Sequence, residues 1–231
     1  MIAIPISARA SSVRRAAVLG GAAVVLVAAA GSMLGLSSAN AGDAVLPITP
    51  VKASELVQAT SGQGSSDLQA TGDQAKLINA ALPFSNGPVV TARPFVLSGD
   101  RLDESRAEEC LTQAVYYEAG FEPVEGRRAV AQVVLNRLRH PAFPKSICGV
   151  VYQGARSGTC QFTFVCDGSL YRAPDPDAWR QARAIAQAAL AGYVERSVGE
   201  ATHYHADYVA PRWAPLLAKI TQIGAHIFYR S

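Results

Sequence analysis

The sequence predicts an α+β domain dominated by helices, with a small antiparallel sheet near its C-terminus, preceded by an export signal and a flexible spacer. Three observations carry this. Three segments between residues 103 and 192 repeat apolar residues at helical spacing, each bounded by capping or breaking residues. After residue 200, "ATHYHADY" alternates polar and aromatic residues, as a strand does, and "QIGAHIFYR" can supply its partner. The stretch 42–95 is rich in Ala, Ser, Gly, Thr, Gln and Pro and poor in aromatics, too little apolar surface to offset its ordering entropy.

At the N-terminus, Arg9, Arg14 and Arg15 precede an apolar run from Ala16 to Leu36, and Ala39 and Ala41 follow at small-residue cleavage spacing. That is the layout of a secretory signal peptide over residues 1–41. The run 16–36 is near the length of a membrane span, so an uncleaved inner-membrane anchor is the alternative. Its Ala/Gly-rich composition and the well-formed cleavage site favour the signal. Removing 1–41 takes away three Arg and no acid, which lowers Lys+Arg from 21 to 18 against 18 Asp+Glu. The mature chain is then neutral. The formal +3 gives no reason to expect nucleic acid as a partner, and no basic stripe with interleaved aromatics is present.

Residues 42–102 read as a low-complexity spacer, with one short helix possible in "SDLQATGDQAKLINAAL". Order is expected from about Asp103, and the domain is 103–231. In "DESRAEECLTQAVYYEAG", Asp103 or Ser105 would cap a helix, and Ala107, Cys110, Leu111, Ala114, Val115 and Glu118 fall on one face before Gly120 ends it. A second helix opens at "EPVEG", with Pro123 in the first turn and Glu122 and Glu125 near the positive end of the dipole. Val130, Val133, Val134 and Leu138 form its buried stripe; Arg137, Arg139 and His140 sit at its negative end, before Pro141. Residues 144–168 read as loops with two small strands. "DPDAWRQARAIAQAALAGY" is an Ala-rich amphipathic helix. "ATHYHADY" and "QIGAHIFYR" read as two partnered strands.

Four cysteines, Cys110, Cys148, Cys160 and Cys166, suggest two disulfides in an exported chain. Three pairings exist and sequence alone does not choose among them; Cys110–Cys148 with Cys160–Cys166 is the expectation adopted. A four-thiolate zinc site lacks paired Cys-x-x-Cys spacing.

Glu118 carries the most chemistry. It lies on an apolar helix face, where desolvation disfavours ionisation, and at a helix C-terminus, where the dipole disfavours negative charge. Both raise a carboxyl pKa, and a carboxylic acid still protonated near neutrality is what protonating a glycosidic oxygen requires. The bland alternative is a structural Glu paired with a nearby Arg. A glycosidase usually needs a second carboxylate. Glu122 and Glu125 are more simply helix N-terminal acids and Asp167 a turn residue, so a one-acid mechanism enters: Glu118 protonates the leaving oxygen, then serves as base to the sugar's own 6-hydroxyl. A competing site is "THYHADY", whose alternation puts His203, His205 and Asp207 on one face, with His226 a possible third nitrogen; this would suit a zinc amidase. Strand histidines are more often hydrogen-bonded than metal-bound. The aromatics Tyr116, Tyr117, Phe162, Phe164, Tyr204, Tyr208 and Trp213 are candidates for a sugar groove or for plain packing.

The blocks "YYEAGFEPVEGRRAVAQVVLNR", "VVYQ", "CQFTFVCDG" and "ATHYHADYVAPRWAPLLAKITQIGAHIFYR" resemble the SleB-type cell wall hydrolases, which include spore cortex-lytic enzymes, over about residues 105–231. The resemblance implies a lysozyme-related fold and a lytic transglycosylase that cleaves between N-acetylmuramic acid and N-acetylglucosamine (MurNAc and GlcNAc) and leaves 1,6-anhydro ends. The family's Tyr-x-Glu-Ala block falls on Glu118 as catalytic acid and base. Tyr117, Gln161, Phe162, His203, Tyr204 and His205, in the matched blocks, are the expected substrate-binding residues. The family commonly reads Glu-Ala-Arg where this chain has Glu118-Ala119-Gly120. A peptidoglycan substrate, a monomer, no cofactor or metal, and a periplasmic or envelope location complete the expectation. A hydrolytic muramidase or glucosaminidase, or a zinc amidase using His203 and His205, are its alternatives.

Overall fold

A computed structural model describes residues 68–231. The expected signal at 1–41, the alternative anchor at 16–36 and residues 42–67 of the expected spacer lie outside the described residues. In chain order the elements are β1 (Leu68–Thr71), α1 (Gly72–Ala81), α2 (Arg101–Ala119), α3 (Val124–Arg139), α4 (Ile147–Val151), α5 (Pro176–Leu190), β2 (His203–Ala206), β3 (Val209–Pro211), β4 (Ala218–Ile223) and β5 (His226–Arg230). The helix-rich α+β class is the one the sequence predicts. The strands form an antiparallel sheet in the order β2-β5-β4 and a separate antiparallel pair, β1 with β3.

Helix α2 starts three residues earlier than a cap at Asp103 would place it. Asp100, not Asp103 or Ser105, caps it: its carboxylate accepts the backbone N–H groups of Leu102 and Asp103, each at 2.9 Å. Leu111, Ala114 and Val115 on α2 face Val134 and Leu135 on α3 and Ala182, Ala186 and Ala189 on α5, in the main core. The alanines let α2 and α5 approach closely. Helix α3 is buried continuously from Ala129 to Arg137, far beyond the expected stripe. Such an all-round burial follows from its central place: its other side meets the sheet through Val133, Ala129 and Phe228.

Disulfides join Cys110 to Cys148, tying α2 to α4, and Cys160 to Cys166 across the "QFTFV" loop. The small strands expected within 144–168 do not form. Helix α4 and a 3-10 turn at Thr163–Val165 stand there, followed by another at Ser169–Tyr171. "QIGAHIFYR" is not one strand but the β4–β5 hairpin, turning at Gly224, whose φ of +56° suits glycine. Its second limb, β5, is the expected partner of β2.

The expected spacer is divided. Residues 68–102 pack onto the domain through β1 and α1 and through backbone bonds such as Leu97 N–H to the Leu190 carbonyl at 2.9 Å. Asn79 donates to the carbonyls of Asp207 and Val209, and buried Lys219 donates to those of Asn79 and Leu82. A polar segment is held here by its hydrogen bonds, which composition does not reveal.

Candidate active site

An open groove of about 470 Å³ runs between the end of α2 with its following turn, residues 116–122, and the segment 169–173. Glu118, in the last turn of α2, lines it and is half-buried. Tyr204 Oη donates to Glu118 Oε2 at 2.9 Å. Burial raises the Glu118 carboxyl from 4.5 to about 7; the Tyr204 hydrogen bond and the Arg137 charge pull the other way, and Asp167 adds a small upward push. Tyr204 is itself pushed well above its ordinary range, by burial and then by Glu118, so its hydroxyl remains a donor.

Arg137 stands behind this pair. Its guanidinium lies 5.2 Å from the Phe143 ring centre and 5.3 Å from that of Phe162, and its Nε donates to the Thr202 carbonyl at 2.6 Å. Burial lowers its pKa to about 10, which leaves it charged at neutral pH. As a sequence, Arg137 reads as a helix-end cation; the structure makes it a core cation that biases the Glu118 carboxyl. The single available signal was its place on the stripe with Val130, Val133 and Val134, one helical turn on.

The other carboxylates are occupied elsewhere. Glu122 lines the groove, but its Oε2 accepts the Ala225 N–H at 3.0 Å and so fastens the β4–β5 turn. Glu125 is exposed. Asp167 accepts the Ser169 N–H at 2.8 Å, and the Ser169 side chain first, with this backbone bond behind it, holds its carboxyl below the usual range.

Of the expected substrate-binding residues, Tyr117 lines the groove, stacked on Phe164 with ring centres 4.9 Å apart. Tyr204 reaches the groove through Glu118. Phe162 is buried, supporting Arg137 rather than forming a surface, and Gln161 is half-buried beside it. His203 and His205 are 2% and 8% exposed, on the opposite face of β2 from Tyr204. Burial lowers His203 to about 3 and His205 to about 4, so both are neutral. His203 Nδ1 meets Thr202 Oγ1, and His205 Nε2 accepts from Tyr229 Oη, each at 2.9 Å; both rings pack 5.5 Å from Trp213. They form a core layer, not a groove wall. The β2–β5 register also separates the supposed metal ligands: His226 pairs with Ala206 and faces Tyr204, away from His203 and His205, while Asp207 lies past the end of the strand. Among the described residues no group of three or more His, Cys, Asp or Glu is arranged to hold a metal. The sequence reading missed Phe121 and Arg172, which line the groove, and Tyr171 beside it; Phe121 and Tyr171 are 86% and 95% exposed.

Residues 121–229 match the family model described as Cell Wall Hydrolase. This stretch belongs to the cell wall hydrolase family. Glu118 lies three residues ahead of the matched stretch of the cell wall hydrolase domain. The chain is 38% identical over 120 residues to a spore cortex-lytic enzyme of Halalkalibacterium halodurans, covering 52% of this chain and 33% of that protein. To the spore cortex-lytic enzyme of Bacillus subtilis it is 37% identical over 118 residues, covering 51% and 35%. The chain thus spans about a third of the length of these curated relatives. Among solved structures, the catalytic domain of the germination-specific lytic transglycosylase SleB from Bacillus anthracis is 31% identical, with a TM-score of 0.46, covering 58% of this chain and all of that one.

Proposed function

We propose that this domain cleaves the glycan strands of peptidoglycan at the MurNAc–GlcNAc bond as a lytic transglycosylase, with Glu118 as acid and then base. The observation that carries the reading is a half-buried carboxyl, held protonated up to about 7, in an open groove whose other acid is bound to backbone. Glu118 gives its proton to the glycosidic oxygen as the C1–O bond breaks and the GlcNAc 4-hydroxyl leaves. The resulting carboxylate, met by the Tyr204 hydroxyl and the Arg137 charge, accepts the proton of the MurNAc 6-hydroxyl as O6 closes on C1. The product is 1,6-anhydroMurNAc, and no water is consumed. Support comes also from the match to the cell wall hydrolase family and from the relatives named spore cortex-lytic enzymes. Export to the periplasm or envelope, where this polymer lies, belongs with the same reading.

The test is mass spectrometry of fragments released from purified sacculi by the full chain and by Glu118→Gln. Anhydromuropeptides from the wild type alone are expected. Reducing-end sugars would require a water-activating carboxylate instead, and free stem peptides would mean an amidase.

A further inference from the structure

We propose that Arg172 is a receptor for a carboxylate on the muramic residue, so that the groove reads the strand's acidic substituents while Glu118 acts on its glycosidic bond. This rests on the glycan reading of the Glu118 groove. Arg172 is the one cation lining that groove among the described residues, on the wall facing the one that carries Glu118. It is exposed, and one nitrogen is anchored: Nη2 donates to Ser169 Oγ at 2.7 Å. Ser169 is buried and held in turn by Asp167 through its backbone N–H. The anchor fixes the direction of the guanidinium and leaves the rest of its planar donor set unspent. No carboxylate among the described residues lies within ion-pair distance of it.

The groove's own acids do not neutralise this charge. Glu118, raised to about 7, is only partly ionised near neutrality and makes no ion pair with Arg172, and Glu122 is bonded to the Ala225 N–H. A guanidinium anchored at one nitrogen and held in no ion pair, with Asp167 feeling its charge only through space, suits bidentate capture of a carboxylate. Of the two sugars in the strand, only muramic acid offers one: the lactyl ether ends in a carboxylate when bare and carries peptide carboxylates when substituted. GlcNAc has neither. Arg172 therefore distinguishes a muramic position from its neighbour and sets which bond of the alternating strand meets Glu118.

The test measures binding to the full chain carrying Glu118→Gln, which cannot turn over. Three oligomers of equal length are compared: a GlcNAc oligomer, a stem-free glycan with free lactyl carboxylates, and a stem-bearing glycan. At least one carboxylate-bearing ligand should bind about tenfold more tightly than the GlcNAc oligomer. Adding Arg172→Ala should abolish that preference, and Arg172→Lys should restore part of it. An advantage with the stem-free glycan assigns the lactyl carboxylate; an advantage with the stem-bearing glycan alone assigns a peptide carboxylate. A preference that survives Arg172→Ala, an equal loss on all three ligands, or no preference with Arg172 intact overturns the proposal. Cleavage of sacculi is a separate readout. A chain that shows the preference but releases nothing would sink the Glu118 reading alone, and a chain that cleaves without the preference would sink the Arg172 reading alone.

Discussion

Replacing Glu118 by Gln should stabilise the domain while ending its activity, and only above the pH at which the unfolded chain ionises this residue. Burial raises the carboxyl from 4.5 to about 7. Between those values the folded chain holds a proton that the unfolded chain has released, so stability falls as pH rises through the window and stays reduced above it. At about 1.36 kcal/mol per pH unit, the penalty reaches ~3 kcal/mol above pH 7. Gln has the same shape, bears no charge and still accepts from the Tyr204 hydroxyl, so it escapes the penalty. In a domain of this size ~3 kcal/mol corresponds to about 6–12 °C in Tm. Thermal unfolding of both proteins from pH 4.5 to 8.5 should show equal Tm at the acid end and a gap that opens through pH 7. A pH-independent gap, or a Gln variant that is less stable at pH 8, would refute the placement of Glu118 as a desolvated acid.

Other outcomes follow from the same contacts. Tyr204→Phe removes a hydrogen bond that favours the Glu118 carboxylate, so the alkaline limb of kcat/KM on sacculi should move up by about one pH unit, with a slower rate; an unmoved limb would argue against the contact. Arg137→Ala leaves the Thr202 carbonyl without its donor and the Phe143 and Phe162 rings around a void, and should cost about 2–4 kcal/mol in denaturant unfolding. Cys110–Cys148 closes a separation of 38 residues and Cys160–Cys166 one of 6, so Ser pairs should cost about 4 and about 2 kcal/mol respectively by chain entropy, a ranking that Tm can check. Tyr229→Phe should cost about 1 kcal/mol, by loss of the donor to His205.

The helices were legible because their evidence is local: Val130, Val133 and Val134 announce a buried face, and Glu118 stands out as an acid in such a pattern. Alternation likewise revealed that His203 and His205 share a side of β2. Which side meets the groove is a tertiary fact, set by the pairing with β5 and by α2, and it fell to Tyr204 between them. Arg137 was misread for a related reason. A helix-end Arg is ordinarily solvated, and only the packing of Phe143 from the adjoining turn and Phe162 from a distant loop makes it a core residue. Arg172 and Phe121 carry no periodic signal, since each becomes a groove residue through the apposition of two turns.

The junction between Lys219 and α1 bears on how the protein can be cut. That buried ammonium closes off the carbonyls of Asn79 and Leu82. A recombinant fragment begun at residue 96 or 103, where composition suggests a clean boundary, would strip those acceptors away and leave a bare cation on β4. Limited proteolysis of the intact chain should therefore leave a resistant core that still contains Leu68, and expression of the shorter fragments should give material prone to precipitate.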